Sequence, residues 1–120
     1  AHATGLPYLQ YLLEEAQTGV LMAREGCCTV SLPLPERFAI HKLLVSRLRV
    51  GRGGKSDKDV LQACVLCAVL SDGHAGALES ALAAVPRKAR KYLLPALEAA
   101  RRYLEADYPR AWEELRDGAR

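Results

Sequence analysis

The sequence predicts an α+β fold, mostly helical: an N-terminal helix, one β-hairpin, then a bundle of four to five helices. Three observations predict it. Leu6, Leu9, Leu12, Leu13 and Ala16 recur at steps of three and four, the helical period. Val20–Ala23 and Cys27–Leu32 are short and rich in β-formers, and Arg24-Glu25-Gly26 between them has turn chemistry. After Pro35 the chain reads as helices broken at glycines and prolines.

The first helix is expected over Leu6–Gln17, with Gly19 ending it. Pro33 and Pro35 hold the segment after the hairpin extended, and Pro35 suits a first helical turn, where its missing N–H costs nothing. Helix two is expected over Glu36–Arg49 and a basic glycine loop over Val50–Ser56. Helix three follows over Asp57–Leu70, capped by Ser56 or Asp57. Beyond Ala63 it is apolar nearly all round, so it is predicted to be the enclosed central helix. Ser71-Asp72-Gly73-His74 breaks the chain before a short helix, Ala75–Ala84. Pro95 should kink or divide the long helix Arg87–Ala106, and Tyr108-Pro109 opens a last one, Arg110–Asp117. A single domain results: helix plus hairpin (1–34), two motif helices (35–72) and a helical cap (75–120). Two strands do not make a stable sheet, so the hairpin calls for strands from an N-terminal region or an oligomer partner.

No apolar run approaches a membrane span and no signal peptide opens the chain, so a cytoplasmic protein is expected. The cysteines agree. Cys64 and Cys67 lie in the apolar helix three, and Cys27 and Cys28 are neighbours on a strand, pointing to opposite faces. Such thiols are expected to pack in the core, reduced, rather than to converge on a metal.

Positive charge is uneven. Arg37, Lys42, Arg47, Arg49, Arg52, Lys55 and Lys58 face one acid, Asp57, in the same stretch. Arg87, Lys88, Arg90 and Lys91 form a second cluster. Either is a solvated helix face or a patch that draws phosphates. Tyr92, Tyr103, Tyr108 and Trp112 stand among arginines, a composition that stacks nucleic acid but more simply packs helices.

On helix two, Lys42, Ser46 and Arg49 fall on one stripe beside Phe38, Val45 and Ala39. Lys55, Lys58, Asp59 and Gln62 make a second stripe at the start of helix three. An ammonium among apolar residues is tolerated where an anion meets it. The two stripes predict a small polar site at one end of the helical layer.

These segments, Pro33-Leu34-Pro35-Glu36-Arg37-Phe38-Ala39-Ile40-His41-Lys42-Leu43 and Lys58-Asp59-Val60-Leu61-Gln62-Ala63, resemble the C-terminal part of bacterial nucleotidyltransferase-domain proteins of the polymerase-β-like superfamily, related to AbiEii-type enzymes. The resemblance covers about Leu6–Leu70. It implies that this is a segment of a longer enzyme that moves a nucleotidyl group from an NTP to an unknown acceptor, with RNA or protein as candidates, and with Mg²⁺. It implies catalytic roles for Lys42, at the triphosphate, and Asp59, organising the site. Arg37, Arg49, Lys55, Lys58 and Gln62 would bind substrate. The plain alternative is that Lys42 and Asp59 simply pair to join two helices.

The chain departs from the enzyme pattern in one respect. Such an enzyme needs a Gly-Ser turn and then Asp-x-Asp on a strand, where alternate residues share a face and two carboxylates converge on metal ions. Gly53-Gly54 and Asp57-x-Asp59 imitate this, but on a helix those carboxylates diverge by about 200°. Gly51–Ser56 imitates a phosphate loop, but Arg49 stands where its first glycine belongs. His41 is expected to pack, and no serine has a histidine–acid partner. The segment alone is therefore expected to be inactive and to bind no metal itself. The competing reading is a non-catalytic helical module that binds RNA or a protein through its basic face.

Overall fold

The computed structural model describes residues 8–14, 16–48 and 55–119. Helix α1 (Leu9–Leu13) leads into strands β1 (Ala16–Ala23) and β2 (Gly26–Pro33). Then come α2 (Pro35–Leu48), α3 (Lys55–Gly73), α4 (Ala77–Ala83), a 3₁₀ segment (Arg87–Tyr92), α5 (Leu93–Leu104) and α6 (Pro109–Gly118). The fold is α+β and mostly helical, as predicted.

β1 and β2 form a two-stranded antiparallel sheet in which Ala23 pairs with Gly26 and Ala16 with Pro33. The first helix ends earlier than its periodicity suggests, because Ala16 and Gln17 find backbone partners across the hairpin. Gly19 is no helix stop. It lies inside β1 under the Leu32 side chain, and a Cβ there would stand 2.5 Å from Leu32 Cδ1. Leu21 and Met22 are consecutive, so they point to opposite faces, and both are exposed. The outer end of the hairpin is thus bare on both sides.

α2 and α3 are the most extensively packed pair of helices. Ile40, Leu43 and Leu44 of α2 share a core with Val60, Ala63 and Cys67 of α3. α4 adds Leu78 and Leu82, α5 adds Leu93, Leu97 and Leu104, and α6 adds Trp112 and Leu115. α3 begins at Lys55, which brings Asp57 into the first turn, where a carboxylate favours the positive end of the helix dipole. It also runs through the expected break to Gly73, and the His74 amide donates to the Leu70 carbonyl. One expectation fails here: α3 is central but not enclosed. Leu61, Val65 and Val69 form an exposed apolar face, because the C-terminal helices cover only its other sides.

Pro95 divides the long helix as predicted. The chain is 3₁₀ up to Tyr92, and Pro95 falls in the first turn of α5, where amides have no helical acceptor anyway. α5 then buries Leu93, Ala96, Leu97, Ala100 and Leu104 on one face. Pro109 opens α6 at its first turn.

Tyr11 locks α1 in place. Its hydroxyl donates to the Ala81 carbonyl at 2.7 Å. Its own carbonyl accepts from Arg37 Nη1 at 2.8 Å, and the guanidinium lies 4.7 Å from its ring centroid. Burial pushes the phenol well above its ordinary pKa, outweighing the neighbouring Arg37 charge.

The thiols divide. Cys64 and Cys67 are core residues, and Cys64 Sγ points at the Ala100 carbonyl, 3.8 Å away. Cys27 and Cys28 are exposed on the hairpin, contrary to the expectation of packing, since nothing described covers either face there. Burial pushes Cys67 up strongly and Cys64 up to about 11. Two predictions follow from this split. Native alkylation followed by mass spectrometry should label Cys27 and Cys28 promptly and the other pair only after denaturation; equal labelling of all four would contradict the packing. A buried thiol with a raised pKa keeps its proton longer in the folded state. Its contribution is therefore complete below pH 9.0 and is lost as pH rises toward about 11, so melting temperature should fall over that window.

Candidate functional site

The seam between α2 and α3 holds two opposite charges. Lys42 Nζ lies 3.3 Å from Asp59 Oδ1, and the side chains are 24% and 8% exposed. Asp59 points inward because it shares a face of α3 with Ala63 and Cys67, so its carboxylate needs a cation or donors. Lys42 is one of these, though not the sole partner. The ammonium also lies 5.5 Å from the Phe38 ring centroid, one turn back on α2. At 3.3 Å the Lys42–Asp59 contact is longer than a strong charge-assisted bond. An ammonium has three N–H donors, and among the described residues only Asp59 takes one. Lys42 is thus a cation anchored on one side and partly open to water on the other.

The remaining predicted residues spread around this pair. Gln62 and Lys58 are exposed, flanking Asp59 on the solvent side of α3. Arg37 is buried and does not approach Lys42: five positions earlier on α2, it is turned about 140° away. Its guanidinium is taken by Tyr11, with Glu14 at 4.0 Å. Arg49 lies outside the described residues, as does most of the expected glycine loop; Lys55 opens α3, but its side chain is not described. Ser46, expected on the polar stripe, is buried: its hydroxyl donates to the Leu43 carbonyl at 2.6 Å and accepts from Arg47 Nε at 3.3 Å. His41 is buried as expected.

Asp57 and Asp59 diverge, as helical geometry requires. Asp57 is exposed and accepts from Arg102 Nη2 of α5 at 3.3 Å, whereas Asp59 faces α2. No group of three His, Cys, Asp or Glu side chains among the described residues has metal-holding geometry. Of the C-terminal aromatics, Trp112 is core, Tyr92 and Tyr103 pack against it, and Tyr108 is exposed. Tyr103 also accepts from Arg102 at 2.7 Å. What the sequence reading missed is Tyr11, a lone aromatic on a leucine-rich helix whose partners lie 26 and 70 residues away.

A family model described as nucleotidyltransferase matches residues 1–86, which include both charged partners. The chain belongs to this nucleotidyltransferase family. No curated protein matches the chain, and no solved structure does. Nucleotidyl transfer is the general activity that the family indicates. The match takes in α1 through α4, and the 3₁₀ segment, α5 and α6 lie beyond it. No helix among the described residues is long and apolar enough to cross a membrane.

The site geometry has a consequence for stability. Asp59→Ala removes a buried partner but leaves Lys42 able to turn to water, so a loss of about 1–3 kcal/mol is expected in urea unfolding. Lys58→Ala and Gln62→Ala, both exposed, should stay within about 0.5 kcal/mol of the parent chain. A larger loss at Lys58 than at Asp59 would refute the placement.

Proposed function

We propose that this chain is the C-terminal part of an AbiEii-related bacterial nucleotidyltransferase, with Lys42 and Asp59 in its active site. The observation that carries the reading is the half-open ion pair inside the family-matched segment. Lys42 offers unused N–H donors to a phosphate oxygen of an NTP, and Asp59 fixes where that ammonium stands. When substrate binds, the ammonium need only rotate from its loose carboxylate contact, so a cation is delivered to developing phosphate charge with little reorganisation. Lys58 and Gln62 stand at the exposed rim, with Lys55 and Arg49 before them in sequence, as the next candidates to meet the nucleotide. Arg37 acts at a distance by holding α1 on α2.

Asp57 and Asp59 do not suit a divalent ion, since Asp57 is engaged by Arg102 and Asp59 by Lys42. In this proposal Mg²⁺ belongs to the complete enzyme and is held by carboxylates outside this chain. Such an ion would polarise the transferring phosphoryl group. The segment alone is accordingly inactive. The bare hairpin fits the same reading, since a preceding catalytic region or a partner chain would supply the missing strands and cover Val20, Leu21 and Met22.

The test uses the full reading frame. Lys42→Ala and Asp59→Asn should each lower nucleotidyl transfer from labelled NTP by about 100-fold or more, with the fold retained by circular dichroism. Undiminished transfer, with only the melting temperature lowered, would reduce the pair to a structural link. The 120-residue chain assayed alone should transfer nothing; turnover by it would refute the proposed division of the active site.

A further inference from the structure

The bare face of α3 has an internal symmetry. Leu61, Val65 and Val69 are 47%, 58% and 61% exposed and stand one turn apart. Lys58 and Asp72, both exposed, stand seven positions before and seven after Val65. Seven residues are two turns with a drift of about 20°, so these five side chains form one slowly winding seam, as in a left-handed helix pair. No ion pair joins Lys58 or Asp72 to another described residue.

The seam is complementary to itself when reversed. Laid antiparallel across a two-fold axis at Val65, Lys58 of one copy meets Asp72 of the other at both ends. Leu61 meets Val69 twice, and Val65 meets its own counterpart. Two-fold interfaces require such pairing of a surface with itself, and opposite charges at the two ends fix the antiparallel register. A nucleic acid would want cations along the centre, where this seam has only apolar residues. Beside it an open groove of about 1160 Å³, walled on the far side by Tyr103, Tyr108 and Pro109, leaves space for side chains of a helix laid on α3.

We propose that α3 is a homodimer interface, occupied by α3 of a second copy packed antiparallel about Val65. Asp59 lies about 120° around the helix from Val65, so the dimer leaves the Lys42–Asp59 site uncovered. The surface meets the proposed active site at Lys58 alone, and its test reads association rather than catalysis.

The experiment is sedimentation of the 120-residue chain from micromolar to hundreds of micromolar. A reversible dimer is expected. Val65→Lys, which sets two ammonium groups against each other on the axis, should raise its dissociation constant more than about 100-fold. Lys58→Asp alone, or Asp72→Lys alone, puts like charges at both ends and should raise it about tenfold. The two together exchange the charges and should restore it to within about twofold of the starting value. All these positions are exposed, so the fold should persist, and circular dichroism checks that it does. A monomer at every concentration, as when a different partner covers the seam, overturns the proposal. So does a dimer indifferent to Val65→Lys, which would place the contact elsewhere, the hairpin included. Failure of the double exchange to restore the dimer overturns the antiparallel register.

Discussion

Asp59 places a carboxylate in the seam between α2 and α3, and the rest of the arrangement follows from what that requires. A charge with its side chain only 8% exposed must be met by a cation or by donors. Lys42 meets it, but from a position that still reaches water. The same seam is built from Ile40, Leu43, Leu44, Val60, Ala63 and Cys67, so the apolar packing of α2 on α3 also holds the two charges in register. A pair buried completely would be a structural link of little chemical use. A pair exposed completely would be screened and disordered by solvent. The observed pair lies between these limits, and that gives Lys42 both a fixed position and unused donors.

The hairpin obeys the opposite constraint. Its inner end is held against α1, while its outer end carries Leu21 and Met22 to opposite sides with nothing described over either. Paired strands satisfy half of their backbone groups and leave an edge open on each side. An exposed, apolar, two-stranded ribbon is therefore incomplete in energetic terms, and addition of further strands is the ordinary remedy. This physical argument agrees with the family relation without relying on it.

The helices beyond residue 86 are not an appendage, although they lie outside the family match. Arg102 of α5 bonds Asp57 in the first turn of α3, and Arg90 donates to the Leu82 carbonyl of α4. Ala100 backs onto Cys64, and Trp112 and Leu115 close the core. Removal of these helices would expose much of the buried face of α3. They therefore support α3, the helix that carries Asp59, through packing. The side of α3 they leave uncovered is where its sequence is self-complementary.

The sequence by itself determined the order of the elements. Period-three-and-four leucines, the turn at Arg24–Glu25, and prolines at 35, 95 and 109 act over a few residues, and each did so here. It also placed Lys42 and Asp59 on facing polar stripes, which left their pairing open as one of two readings, and the structure brings them to 3.3 Å. Boundaries were less legible. Ala16 and Gln17 joined a strand because a partner across the hairpin outbid local helical spacing. Only the tertiary structure decided the remainder. An apolar helix wheel does not say how many neighbours will cover it, so the open face at Leu61, Val65 and Val69 could not be read from α3 alone. Nor could the turning of Arg37 toward Tyr11, or the exposure of Cys27 and Cys28. Burial depends on which distant segments arrive, and that is a property of the whole chain rather than of any window within it.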